Sequence, residues 1–206
     1  KIGDPYAKWT SGKQTEALYA VESWYSWHSR DDYTNNIKSI ANAYYGKING
    51  SESNMAEASM AKALEGTAID RTIRKQIADA QAAIQGITQP FRNHIGSTEA
   101  QQAMEACAAL QASLSEVTND EDEVEAGAAA VNLRDAVLKL DEATLQAIIN
   151  NYVDNVVVPT YKNLKEQNTI LYQTVNAFVA NPSNDGFEAC TTAWINARQP
   201  WETSEA

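Results

Sequence analysis

The chain has 206 residues, 44% hydrophobic and 21% charged, enough apolar material to bury a core and too much for wholesale disorder. Its formal net charge is −11 and no run of Lys or Arg occurs, which excludes a phosphate-tracking surface and with it a nucleic-acid partner. No stretch approaches the ~20 consecutive apolar residues that cross a bilayer, so no transmembrane segment is expected.

The opening KIGDPYAKW lacks the apolar run of a signal peptide and reads as a mature or trimmed start. From 14 to 45, Leu18, Val21, Trp24, Tyr25, Ile37, Ile40 and Tyr44 recur at helical steps, with Thr15 as the expected cap and Gly46 as the stop. Glu22, Ser23, Ser26, Asn35 and Asn36 are threaded between these aromatics, and Ser and Asn sit poorly inside helices unless their side chains find partners. KINGSES is a turn, and Ser51 or Ser53 should open an alanine-rich helix to about 65. Thr67 then starts a helix over 67–87, with Ile69, Ile73, Ile77, Ala80 and Ile84 down one face.

Pro90 breaks the ladder, placing His94 in a loop where hydrogen bonding is a better expectation than base catalysis. Ser97, with Glu99 and Gln101, restarts a helix to about 117. An acidic connector, TNDEDEVEAG, leads to a joining helix over 128–140. A long helix follows from Asp141 through Leu145, Ile148, Tyr152, Val156, Leu164, Leu171, Val175 and Phe178, kinked at Pro159. NPSNDG ends it, and 187–197 is the last helix, with Pro200 fixing its exit. Nothing alternates with period two, so the reading is all-α: an up-and-down helical bundle of long helices forming one domain over 1–206.

Cys107 and Cys190, 83 positions apart, both fall in helical patterns; packed free thiols are the expectation, and a disulfide between them is the alternative. With two histidines and no CxxC, a Cys/His zinc site is excluded, and no Glu-x-x-His marks a di-iron bundle. His28 has Asp31 and Asp32 one turn ahead, too few ligands for a metal and fit for a surface pairing. The C-terminal cluster Arg198, Trp201, Glu202, Ser204 and Glu205 leaves two readings open. One is an Arg–Glu clasp that staples the tail to the bundle, and the other a polar site contacting a small ligand, peptide or cation.

AWINARQPWETSEA resembles the helix-exit motif of imelysin-like proteins, A-W-x-x-x-R-x-P-[WY]-E-x-[ST]-E, and IINNYVDNVVVPTYKNLKEQ resembles their first long helix. Residues 3–46 and PFRNHI resemble the C-terminal half of that family. The order is therefore inverted: 3–117 is similar to the C-terminal half, 141–206 to the N-terminal half, and 118–140 joins them. The family's G-x-H-x-x-E motif is missing, as in a circularly permuted and truncated chain.

The resemblance implies an all-helical, extracytoplasmic bacterial protein of the periplasm or cell surface, with lipoprotein anchoring in the parent. It also implies a part in iron uptake, with iron, zinc or calcium as the candidate ion, and an incomplete site in this form. That site would hold Arg198, Trp201, Glu202, Ser204 and Glu205, with His28, Arg30, Asp32 and Tyr33 as secondary candidates. Arg30 precedes Tyr33 as Arg198 precedes Trp201, a faint internal echo. A metallopeptidase, and a structural or engineered scaffold without ligand, are the alternatives.

Overall fold

The computed structural model describes residues 1–114 and 132–205; the acidic connector, the expected helix end at 117 and the start at 128 lie outside them. Helices α1 (Gly3–Thr10) and α2 (Gln14–Ala20) pack on each other, and α3 (Ser29–Tyr45) packs on α5 (Ala68–Gly86). α6 (Thr98–Leu114) lies along α5, and no strand occurs among the described residues. The fold class is all-α.

The core is built by α3, α5 and α6. The predicted stripe of α5 is buried throughout: Ile69, Ile73, Ile77, Ala80 and Ile84. Against it lie Tyr33, Ile37, Ala41 and Tyr44 of α3 and Ala100, Ala103 and Leu110 of α6. Capping follows the sequence in three places. Thr67 accepts from the Asp70 N–H at 3.2 Å, Ser97 from Ala100 at 3.1 Å, and Asp141 from Thr144 at 2.9 Å. Gly46 ends α3 at φ +65°, where its carbonyl accepts from Asn151 Nδ2 at 2.8 Å.

Several expectations differ. The helix over 14–45 is two helices, because 21–28 forms a polar corner in which Ser23 and Trp27 have φ of 51° and 65°. Side-chain bonds hold it: Ser29 Oγ donates to the Glu22 carbonyl at 2.6 Å, and the Tyr33 hydroxyl accepts from the Glu22 N–H at 3.1 Å. Thr15 is no cap, since α2 begins at Gln14. The alanine-rich stretch folds only into α4 (Met60–Ala63), since Asn54 Nδ2 donates to the carbonyls of Ile48 and Asn49 and ties its chain into a turn.

Beyond the connector, α7 (Leu133–Val137) is shorter than the joining helix expected up to 140. α8 (Glu142–Tyr152) then passes through a π turn, Val153–Val157, into α9 (Val158–Ala180). The irregularity precedes Pro159, whose ring disfavours the carbonyl four residues back and whose nitrogen has no proton to donate. Finally α10 (Asn184–Glu202) is longer than predicted and carries Pro200 inside it, buried against its neighbours. α9 packs on α10, and α10 in turn on α3. The long helix thus lies outside the main core: of α9 only Thr160 is buried, while Tyr161, Tyr172 and Val179 are exposed.

Candidate functional site

The last turn of α10 crosses the polar corner and the first turns of α3. Because α10 continues past residue 197, Arg198 and Glu202 stand one turn apart on the same helix face and pair with each other. Arg198 Nη2 also donates to Asp32 Oδ2 at 3.0 Å and to Ser23 Oγ at 2.9 Å, and its guanidinium lies 5.8 Å from the Trp194 ring centre. Ser23 reaches this position through its left-handed backbone. Asp32 and Glu202 are both buried, and Glu202 has no exposed surface.

Glu202 has a second neighbourhood on its other side. Asn36 Nδ2 donates to Glu202 Oε2 at 2.9 Å and to Glu205 Oε2 at 3.0 Å, an arrangement that fixes the amide orientation. Lys1 Nζ lies 3.1 Å from Glu22, 3.8 Å from Glu202 and in direct contact with Glu205. One carboxylate oxygen from each of Glu22, Glu202 and Glu205 falls within 4.8 Å of the others. On the other edge of the Asn36 amide, Oδ1 is buried without a hydrogen-bond partner among the described residues.

Electrostatics follow from this crowding. Burial pushes the Glu202 carboxyl up to about 7, helped by the charges of Glu22 and Asp32 and opposed by Asn36 and Arg198. Burial pulls the Arg198 guanidinium down, but its bond to Asp32 and the charges of Asp32, Glu202 and Glu22 carry it above its ordinary value. Lys1 is likewise raised, the pull of burial being outweighed by Glu205 and Glu22.

The predicted residues separate into three groups. Arg198, Glu202, Glu205 and Asp32 converge, and Tyr33 touches the same corner through Glu22. Trp201 instead half-covers a hollow of about 150 Å3 between α9 and α10, and Ser204 Oγ donates to the Trp201 carbonyl at 2.7 Å, closing the helix end. His28 pairs with Asp31 at 3.2 Å, and Arg30 donates to the carbonyls of Gln85 and Ile87. Both line a cleft of about 550 Å3 between α3, the end of α5 and α10, on the far side of the Arg198–Asp32 pair from the carboxylates. His94 stays in its loop, with backbone bonds to Phe91 and Ser97. Lys1, Trp194 and Lys38 were not foreseen. Glu22, Ser23 and Asn36 had a signal, as polar residues amid aromatics.

Fold and site together define an all-α protein with a buried acid–base cluster at a helix crossing. The imelysin family profile matches residues 1–117 and 157–206, and the chain belongs to that family. Over 99% of its length it is 45% identical to an imelysin peptidase from Bacteroides ovatus, with a TM-score of 0.83, and it spans 55% of that protein. Over 53% of its length it is 39% identical to a putative iron-regulated protein A precursor from Parabacteroides distasonis, covering 32% of that chain at a TM-score of 0.50. No curated protein matches. No helix of the described residues is long and apolar enough to cross a membrane.

Proposed function

We propose that this chain binds a cation or small ligand as part of an extracytoplasmic imelysin-like protein serving iron uptake in the periplasm or at the cell surface. The observation that carries the reading is the convergence of three carboxylates, Glu22, Glu205 and the fully buried Glu202. Oxygen-only donors suit a hard cation such as ferric iron or calcium better than zinc. The Lys1 ammonium now neutralises these carboxylates, so a cation would compete with it. The iron-regulated relative supports the assignment to iron.

The Arg198, Glu202 and Glu205 cluster is read as one half of a ligand site, the other half being the G-x-H-x-x-E segment that this sequence lacks. Calorimetric titration with Fe3+, Fe2+, Zn2+ and Ca2+ tests the proposal. Weak binding, stronger for Lys1→Ala and lost in Glu205→Gln, is the expected result. No heat with any ion, or an unchanged isotherm in Glu205→Gln, overturns it.

A further inference from the structure

The cleft of about 550 Å3 beside α3 and α10 has a chemistry opposite to that of the carboxylate cluster. Its acids are already engaged: Asp32 is held by Arg198, and Asp31 by His28 at 3.2 Å and by Gln89 Nε2 at 3.1 Å. Arg198 is committed to Asp32 and Glu202 and His28 to Asp31, but two other cations of the cleft keep donors to spare. Lys38 lines the cleft, half-buried, with no ion pair among the described residues. Arg30 spends one nitrogen on backbone carbonyls and reaches Asp31 only at 4.0 Å through Nε, leaving its other amino nitrogen unused.

Arg30, Thr34 and Lys38 are spaced by four residues, so they lie along one side of α3, the Arg30 and Lys38 backbones about 12 Å apart along its axis. Between and opposite them, the side-chain amides of Asn35, Asn196 and Gln199 line the walls and bond to no described residue. Trp194 closes one side, braced by His28 at 6.3 Å between ring centres. In a chain of net charge −11, this is a local excess of positive and hydrogen-bonding groups in a cavity of small-molecule size.

We infer that this cleft binds a small organic polyanion with two or three carboxylates and a hydroxyl-bearing or polar middle, its ends taken by Lys38 and Arg30 and its centre by the amides. Spacing favours carboxylates over a compact anion, since two separated cations match two separated charges. The assignment needs no cation at Glu202 and goes beyond the site proposed above.

The test is calorimetric titration of the full chain, in chelator-treated buffer, with citrate, glutarate and inorganic sulfate. Saturable one-to-one binding of citrate or glutarate is expected, weakened about tenfold or more by Lys38→Gln and abolished by Lys38→Glu. A thermal melt of Lys38→Gln matching the parent keeps the comparison interpretable, and Asn196→Ala, with a weakened isotherm, gives a second reading from the other helix. Absence of binding, equal affinity in Lys38→Gln, or sulfate binding as tight as citrate each overturns the inference. The two proposals fail separately. Carboxylate binding without any metal-ion heat supports this one and removes the other; metal-ion heat without carboxylate binding does the reverse.

Discussion

Replacing Arg198 with Ala is the most informative perturbation, because one guanidinium compensates two buried acids. The Asp32 side chain is 3% exposed and that of Glu202 is fully covered, while Arg198 itself is 21% exposed. Removing the cation leaves both carboxylates facing low-dielectric surroundings, with Asn36 the remaining donor to Glu202. Breaking a buried pair by deleting one partner costs about 3–5 kcal/mol, whereas an exposed pair is worth about 0–1 kcal/mol. For a chain of this size each kcal/mol moves Tm by about 2–4 °C, so a fall of roughly 6–20 °C is expected. Far-UV circular dichroism melts at pH 8, with urea titrations to confirm an unchanged m-value, measure it. Combining Arg198→Ala with Glu202→Gln should recover part of the loss, since one stranded charge is then gone. A Tm shift of 2 °C or less would place the pair on the exposed scale and refute the account of a buried staple.

Three further outcomes are expected. Glu202 binds its proton more tightly folded than unfolded, so its contribution is fully present below about pH 4.5 and is lost as pH rises through about 7. Glu202→Gln should therefore gain roughly 3 kcal/mol on the parent between those limits, and parallel pH-stability curves would contradict this. A Cβ at Gly96 would stand 2.1 Å from the Trp9 indole nitrogen, so Gly96→Ala should lose about 1–3 kcal/mol in chemical denaturation; an unaltered midpoint would show that Trp9 swings away freely. Cys107 and Cys190 are both free thiols, so alkylation of the unfolded, unreduced chain should add two labels by intact mass; none would reveal a disulfide.

Much of the architecture was legible because helical periodicity is local. The isoleucine stripe of α5 needs only its own sequence to declare a buried face, and Thr67, Ser97 and Asp141 cap from within their own first turns. Where polar side chains could choose between the helix ladder and nearby backbone, sequence failed. The corner at 21–28 and the turn around Asn54 carry a helical pattern, yet each is held by side-chain bonds that reach 5 to 11 residues along the chain. Pro200 misled in the opposite sense, its burial on the helix bundle outweighing its poor fit inside α10.

Sequence alone thus determined the all-α class, the main core stripes, the family, and the placing of Arg198, Glu202 and Glu205 together at one helix end. It could not determine their partners. Asp32 and Asn36 lie 166 residues from Arg198 and Glu202 along the chain, and Lys1 lies 204 residues from Glu205. Only the packing of α10 against α3 brings them within bonding distance, buries Glu202 and so raises its proton affinity. The same packing decides that Arg30 and Lys38 face a cleft while the carboxylates face each other, because burial and pairing belong to the assembled helices and to no one of them.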